Sequence, residues 1–467
     1  MAGKKKARNP NAILNEGPTV VGMMSAIVER GGSIDSAVRD VAENGPERSA
    51  EMFGSMIIRA DTREIPDISH GLSELLSSLP AEAAAFRRSV HMVMAAAASS
   101  DRAERKRMLG DASDIALNGL KEIGESYSTS LNVPCMMIFG LGIMVPMVLM
   151  SILPMLSLGG MFGGAPIGVG QITIITLVFI PAVILSIILS IKEKNPFMRS
   201  SVNTEFKYLA PLLSAVPAAA AVYVMTGDIQ WSMTAASVIA GIALLAYAAP
   251  HVRSERIREK QETLLQDSVF ELGNRLIAGG NFETSIVNAI GARTECSSVA
   301  DSVCREMGIC RGDACSAIKA SIGKISFRLS EVFCDVYRCS LKDARDAGRL
   351  AVSVGRQIQD QDSVRKGIKN KLKSMTDMMT GTAAVFAPLV LGMSVTMLGP
   401  ISRVMDGVDF GNTSAILSAY LIELCILVSV LTSFLNGKVD IRDIAYRLGL
   451  ALPVSLMMFT LCSGIGL

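Results

Sequence analysis

The chain has 467 residues, half of them hydrophobic and 19% charged, with a mean hydropathy of +0.41. That is too apolar for a soluble protein, whose charged share is usually near a quarter, so the excess belongs in a membrane. A net charge of +2 and an aromatic share of 5% argue against a nucleic-acid binder or an acidic scaffold.

The first eight residues, Met1-Ala2-Gly3-Lys4-Lys5-Lys6-Ala7-Arg8, look like the basic region of a signal peptide. The next apolar run, Val20 to Val28, is interrupted and followed by Glu29-Arg30, so no cleaved signal is read. Residues 1–132 form a long polar segment, expected to be a bundle of amphipathic helices broken near Asn44-Gly45-Pro46, Ile65-Pro66-Asp67 and Leu79-Pro80. Near its start stands Ile27-Val28-Glu29-Arg30-Gly31-Gly32-Ser33-Ile34-Asp35-Ser36-Ala37-Val38. This predicts a helix that ends in glycines able to adopt positive φ, then Ser33 capping the next helix, with Asp35 at the positive end of its dipole.

Four apolar stretches of about 20 residues, the length that crosses a bilayer, follow at about Val133–Leu158, Val169–Ile191, Tyr208–Thr226 and Trp231–Ala249. A second polar segment runs over 250–380, and three more stretches lie at about Gly381–Ile401, Ser414–Asn436 and Leu448–Leu467. The expected architecture is all-α: a polytopic membrane protein with seven spans, four in 133–249 and three in 381–467, and two large helical domains. Basic residues set the orientation. The 192–207 loop carries Lys192, Lys194, Arg199 and Lys207, and the 437–447 loop carries Lys438, Arg442 and Arg447. The 159–168 and 227–230 loops carry none, and Arg403 alone lies in 402–413. Both long polar segments and the N-terminus then face the cytoplasm and the C-terminus lies outside. Prolines 146, 154, 181, 217 and 388 are expected to kink their spans. Glu423 is an intramembrane carboxyl, expected to sit neutral or hydrogen-bonded near Tyr420 or Ser429.

The second polar segment echoes the first. Arg275-Leu276-Ile277-Ala278-Gly279-Gly280-Asn281-Phe282-Glu283-Thr284-Ser285-Ile286 matches the first corner at a shift of 248, with Asn281 in the place of Ser33 and Glu283 in that of Asp35. Val21, Met24 and Val28 match Val269, Leu272 and Leu276 at helical spacing, so both copies are expected to bury the same face. From each corner to the following span the pattern reading gives an equal length, about 102 residues, with a break in the second copy near Gly308 to Gly312. The segment also holds Cys296, Cys304, Cys310, Cys315, Cys334 and Cys339. Thiolates select zinc or iron–sulfur clusters, yet no Cys-x2-Cys occurs and the spacings fit no ligand frame. No metal or other cofactor is predicted. A disulfide framework is not expected in a reducing cytoplasm either.

Two basic clusters stand out: Arg102, Arg105, Lys106 and Arg107 in the first domain, and Arg365, Lys366, Lys369, Lys371 and Lys373 just before the fifth span. The second suits a juxtamembrane segment drawn to anionic lipid headgroups, or a face that meets an acidic partner. Lys366, Lys369 and Lys373 share one helical face.

A helix, a glycine corner, a further helix, about a hundred helical residues and then a span, occurring twice in register, resemble the type II secretion F-domain family. Two such domains in one polytopic chain resemble the archaellum assembly platform of archaea and the tight-adherence pilus platform. The likeness covers both polar segments and the span after each, with Leu141-Gly142 set against Leu391-Gly392. It implies a non-enzymatic membrane platform that docks a cytoplasmic ATPase and couples its movements to pilin-like or archaellin subunits. It also implies a homodimer as an assembly to test, while charge and composition leave no nucleic-acid partner expected. The two basic clusters are then the expected docking residues, and Gly31, Gly32, Asp35, Gly279, Gly280 and Glu283 the structural motif. The chain carries no phosphate loop, no His-Glu-x-x-His and no nucleophile elbow. A transporter with internal repeats, or a membrane-anchored signalling scaffold, are the alternatives. The first would put its repeats in the spans.

Overall fold

The computed structural model describes residues 12–149, 152, 173–195, 229–310, 313–404, 413–437 and 440–464. Among them there is no β-strand. In chain order the helices are α1 (Ala12–Glu29), α2 (Ile34–Asn44), α3 (Glu47–Asp61), α4 (Ile68–Ser77), α5 (Ala84–Ala98), α6 (Arg102–Ser130), α7 (Asn132–Phe139) and α8 (Ile180–Lys194). There follow α9 (Ile229–Ile277), α10 (Phe282–Gly291), α11 (Ser297–Ile309), α12 (Ala314–Ser321), α13 (Phe327–Ser340), α14 (Ala344–Gly381), α15 (Ala387–Val404), α16 (Thr413–Leu435) and α17 (Ile441–Gly464). The chain divides into two compact units, one of Met1–Glu125 with Ser254–Ile368, the other of Ser126–Arg253 with Lys369–Leu467.

The first unit holds two six-helix stretches, α1–α6 and the end of α9 through α14. Each has its own apolar core. Val21, Met24, Val28, Val38, Phe53, Leu72 and Val90 lead the first; Val269, Leu272, Leu276, Ile286, Val303 and Phe333 lead the second. Local sequence explains the breaks. Pro46 precedes α3, Asp67 caps α4 by accepting the Ile68 N–H at 2.7 Å, and Asp313 caps α12 by accepting the Cys315 and Ser316 N–H groups. Glu16 of α1 reaches across to α3, where Oε2 accepts both the N–H (2.8 Å) and the hydroxyl (2.6 Å) of Ser49. The carboxylate thus satisfies a first-turn donor that the helix itself leaves orphaned.

The distance from corner to span differs between the stretches, contrary to the equal lengths expected. Helix starts Ile34 and Phe282 are 248 apart, whereas Arg102 and Ala344 are 242 apart. The six residues are lost within the helices themselves, since each of α2–α5 is one or two residues longer than its counterpart among α10–α13.

Among the described residues, six helices are long and apolar enough to cross a membrane: Arg102–Leu149, Ile175–Lys192, Gln230–Ile277, Ala344–Met397, Thr413–Leu435 and Ile441–Gly464. They fit a multi-pass membrane protein. The expected span Tyr208–Thr226, the 159–168 loop, Lys207, prolines 154 and 217 and the N-terminal Met1–Arg8 lie outside the described residues. The helix that carries the last span begins ahead of the expected Leu448, because the charged run is helical: the Asp440 carboxylate accepts the Arg442 N–H at 3.0 Å, and Asp443 pairs with Arg447 one turn on at 3.0 Å.

In the second unit, the expected proline kinks take the form of π turns. Gly140–Met144 ends two residues before Pro146, Ile175–Phe179 two before Pro181, and Thr382–Phe386 two before Pro388. Proline offers no N–H to the carbonyl four residues back and its ring crowds that carbonyl, so the helix widens by one residue to pass it. The freed carbonyl needs another donor where there is no water. For Pro146 that carbonyl is Gly142's, and the fully buried Tyr420 hydroxyl of α16 donates to it. Cys425, further along α16, directs its thiol at the Ala383 carbonyl, 4.0 Å away, inside the π turn before Pro388. Glu423 is half-buried on the same helix, and the Tyr420 hydroxyl goes to Gly142 rather than to it. Glycines admit close helix approach elsewhere in this unit. A Cβ on Gly241 would lie 2.8 Å from the Gly449 carbonyl, and one on Gly392 3.2 Å from that of Phe459.

Candidate docking surface

The two glycine corners share one geometry. Gly31 has φ +83° and Gly279 φ +91°. The Gly31 N–H donates to the Val28 carbonyl and that of Gly32 to Ile27, each at 3.0 Å. Gly279 donates to Leu276 and Gly280 to Arg275, again at 3.0 Å. This is the Schellman arrangement, which returns the last carbonyls of a helix to the chain leaving it. The two glycines of each pair serve different ends. A Cβ on Gly31 or Gly279 meets nothing within 4 Å, so only the left-handed φ demands glycine. A Cβ on Gly32 would lie 2.9 Å from the Ile27 carbonyl, and one on Gly280 3.0 Å from that of Arg275. The second glycine is therefore there for room. Ser33 then accepts the Ser36 N–H at 3.2 Å and Asn281 the Glu283 N–H at 3.4 Å, starting α2 and α10. Asp35 stands in the first turn of α2, paired with Arg39 at 3.4 Å. Val21, Met24, Val28, Val269, Leu272 and Leu276 are all fully buried behind the corners.

The first basic cluster occupies the opening turns of α6. Arg102, Lys106 and Arg107 are exposed. Arg105 differs, for its Nη2 donates to the Ser99 carbonyl at 2.7 Å, closing the end of α5. It is a helix-terminating residue as much as a surface charge. The second cluster lies on α14. Ile368 and Leu372 turn inward and are buried, while Lys366, Lys369, Lys371 and Lys373 are exposed. Lys366 Nζ pairs with Asp362 at 2.7 Å, and that hydrogen bond raises its pKa. Arg365 is half-buried.

Within the first unit a polar cluster joins the two stretches, and charge runs did not reveal it. Gln361 of α14 is buried with both amide ends satisfied: Oε1 accepts Arg328 Nη2 at 2.7 Å, and Nε2 donates to the Pro18 carbonyl of α1 at 3.0 Å. Burial, with Arg365 adding its charge, pushes the Arg328 guanidinium down to about 10, while Glu262 acts the other way. One turn back, Gln357 reaches Ser113 of α6 at 3.5 Å, and a Cβ on Gly22 of α1 would fall within 3.0 Å of its carbonyl oxygen. A pair of glutamines at i and i+4, beside the buried Ile358, is the signal in the sequence: two amides on one face of a helix ask for partners on another.

The nine cysteines are free thiols, and among the described residues no group of three or more His, Cys, Asp or Glu side chains is gathered as metal ligands. Comparison of the chain with protein-family models, curated proteins and solved structures gives no match.

Proposed function

We propose that this chain is the membrane platform of an archaellum, type IV pilus-like or type II secretion-like machine. It docks a cytoplasmic ATPase and couples that enzyme's movements to pilin-like or archaellin subunits. The observation that carries the reading is the repeated order of parts. Six helices follow one another twice, each set opening at a Schellman corner with left-handed glycine at Gly31 or Gly279. Each leads through its sixth helix to a π turn before a proline, and Pro146 and Pro388 keep the 242 offset of that sixth helix. We read this as one domain and its following span, duplicated. In that register Gly142 stands opposite Ala384, not Gly392 as the sequence pattern had it.

On this reading the domains are 1–132 and 250–380, both cytoplasmic, with spans in 133–249 and 381–467 and the C-terminus outside. The exposed lysines Lys366, Lys369 and Lys373, with Arg102, Lys106 and Arg107, form the faces that meet acidic surfaces of the ATPase; complementary charge steers such encounters and fixes their register. The chain supplies no phosphate loop of its own, which suits a protein that borrows its energy. The test is co-purification of the intact, membrane-extracted chain with the phosphate-loop ATPase encoded nearest to its gene. Stable co-elution is expected. Solute uptake by liposomes holding this chain alone, with no ATPase retained, overturns the proposal in favour of a transporter.

A further inference from the structure

Helices α12 and α13 of the second stretch run against each other and bring two cysteines together. The Cys334 thiol, fully buried on α13, donates to the Cys315 carbonyl at 3.5 Å. Cys315 is half-buried at the second position of α12, its N–H held by Asp313 at 3.2 Å. The contact is built into the register of the two helices. Four residues after Cys315 and three before Cys334, Lys319 and Glu331 pair across the same seam at 2.7 Å. That places the lysine ammonium where its charge acts on both sulfurs. The other four cysteines of this segment have no such contact among the described hydrogen bonds.

We propose that Cys315 and Cys334 form a two-electron redox site, a dithiol that closes to a disulfide when the chain meets hydrogen peroxide and reopens with thiol reductant. Sulfur chemistry divides the roles. Cys334 is enclosed and burial raises its pKa, so it stays a thiol; the half-exposed Cys315 takes the first step. Its sulfur gives an electron pair to one peroxide oxygen, the O–O bond breaks and water leaves, producing a sulfenic acid. The Cys334 sulfur then attacks the Cys315 sulfur, the S–S bond forms and the sulfenic oxygen leaves as a second water. The dithiol loses two electrons and two protons, and peroxide is reduced to two waters. The product ties α12 covalently to α13 where Lys319 and Glu331 already hold them.

The test uses the intact chain in detergent, treated with hydrogen peroxide, denatured, alkylated with N-ethylmaleimide and digested for mass spectrometry. The expected result is a linked peptide pair joining Cys315 to Cys334, a loss of two of the nine alkylatable thiols, and full recovery with dithiothreitol. Cys315→Ser is expected to abolish the linked pair, while Cys304→Ser, at an exposed cysteine, leaves it unchanged. The wild-type measurement stands whether or not the variants fold. Oxidation confined to Cys304, a cross-link joining another pair, or nine thiols surviving peroxide would each overturn the assignment.

Discussion

The two six-helix stretches of the first unit use the same corner but close their cores differently. In the second, the outer helices α9 and α14 meet backbone to backbone through glycine. A Cβ on Gly273 would stand 2.8 Å from the Gly348 carbonyl, and one on Gly348 2.7 Å from the Ile277 nitrogen. At the matching offsets the first stretch carries Ser25 and Lys106. There α1 lies against α2 and α5, and α14 borrowed from the second stretch completes the side: Gln361 on Pro18, Gln357 by Gly22 and Ser113, Ile368 against Gly124. One helix thus packs against both stretches. The two stretches are unequal, one closed by its own outer helices and the other also contacted by its neighbour's last helix.

The largest effect should come from breaking the glycine seam. Gly348→Val must displace backbone, and overfilling of this kind costs about 3 kcal/mol; its counterpart Lys106→Val, at an exposed site, should shift stability by less than about 0.5 kcal/mol. Thermal denaturation followed by circular dichroism compares the two, and equal losses would erase the asymmetry. Next is Tyr420→Phe, which strands the Gly142 carbonyl in an apolar interior at about 2 kcal/mol. Adding Pro146→Ala should recover much of that loss, because the carbonyl regains a helical N–H. Additive losses in the double variant would refute the link between proline and tyrosine.

A smaller and more even pair of effects should come from Gly31→Ala and Gly279→Ala. Nothing crowds either Cβ, so each should lose only the left-handed backbone preference, about 1 kcal/mol. A loss several-fold larger at one corner would mean that the corners are not the same device. Smallest should be Ser33→Ala and Asn281→Ala, each removing one cap for about 0.5 to 1 kcal/mol. Amide hydrogen exchange in the first turns of α2 and α10 would register them.

What the sequence made legible follows from range. The corners could be read because φ, cap and first-turn acid all lie within a few adjacent residues. The prolines marked where three spans deviate, yet their form and the donor from α16 could not be foreseen: Tyr420 lies 278 residues from Gly142. Among the docking candidates, Lys366, Lys369 and Lys373 showed their common face through helical period, but the task of Arg105 at the end of α5 depends on a carbonyl six residues back across a turn. The Arg328–Gln361–Pro18 cluster spans 343 residues between its last two members, and only the glutamine pair hinted at it. Composition located the six described apolar helices, and tertiary contact decided the rest.

The most direct test of the central claim is the binding of the phosphate-loop ATPase to the intact chain in lipid nanodiscs. Wild type is compared with a variant carrying Lys366→Glu, Lys369→Glu and Lys373→Glu. The account predicts retention on the wild type and loss on the variant, with helix content and membrane insertion unchanged; equal retention on both would contradict it.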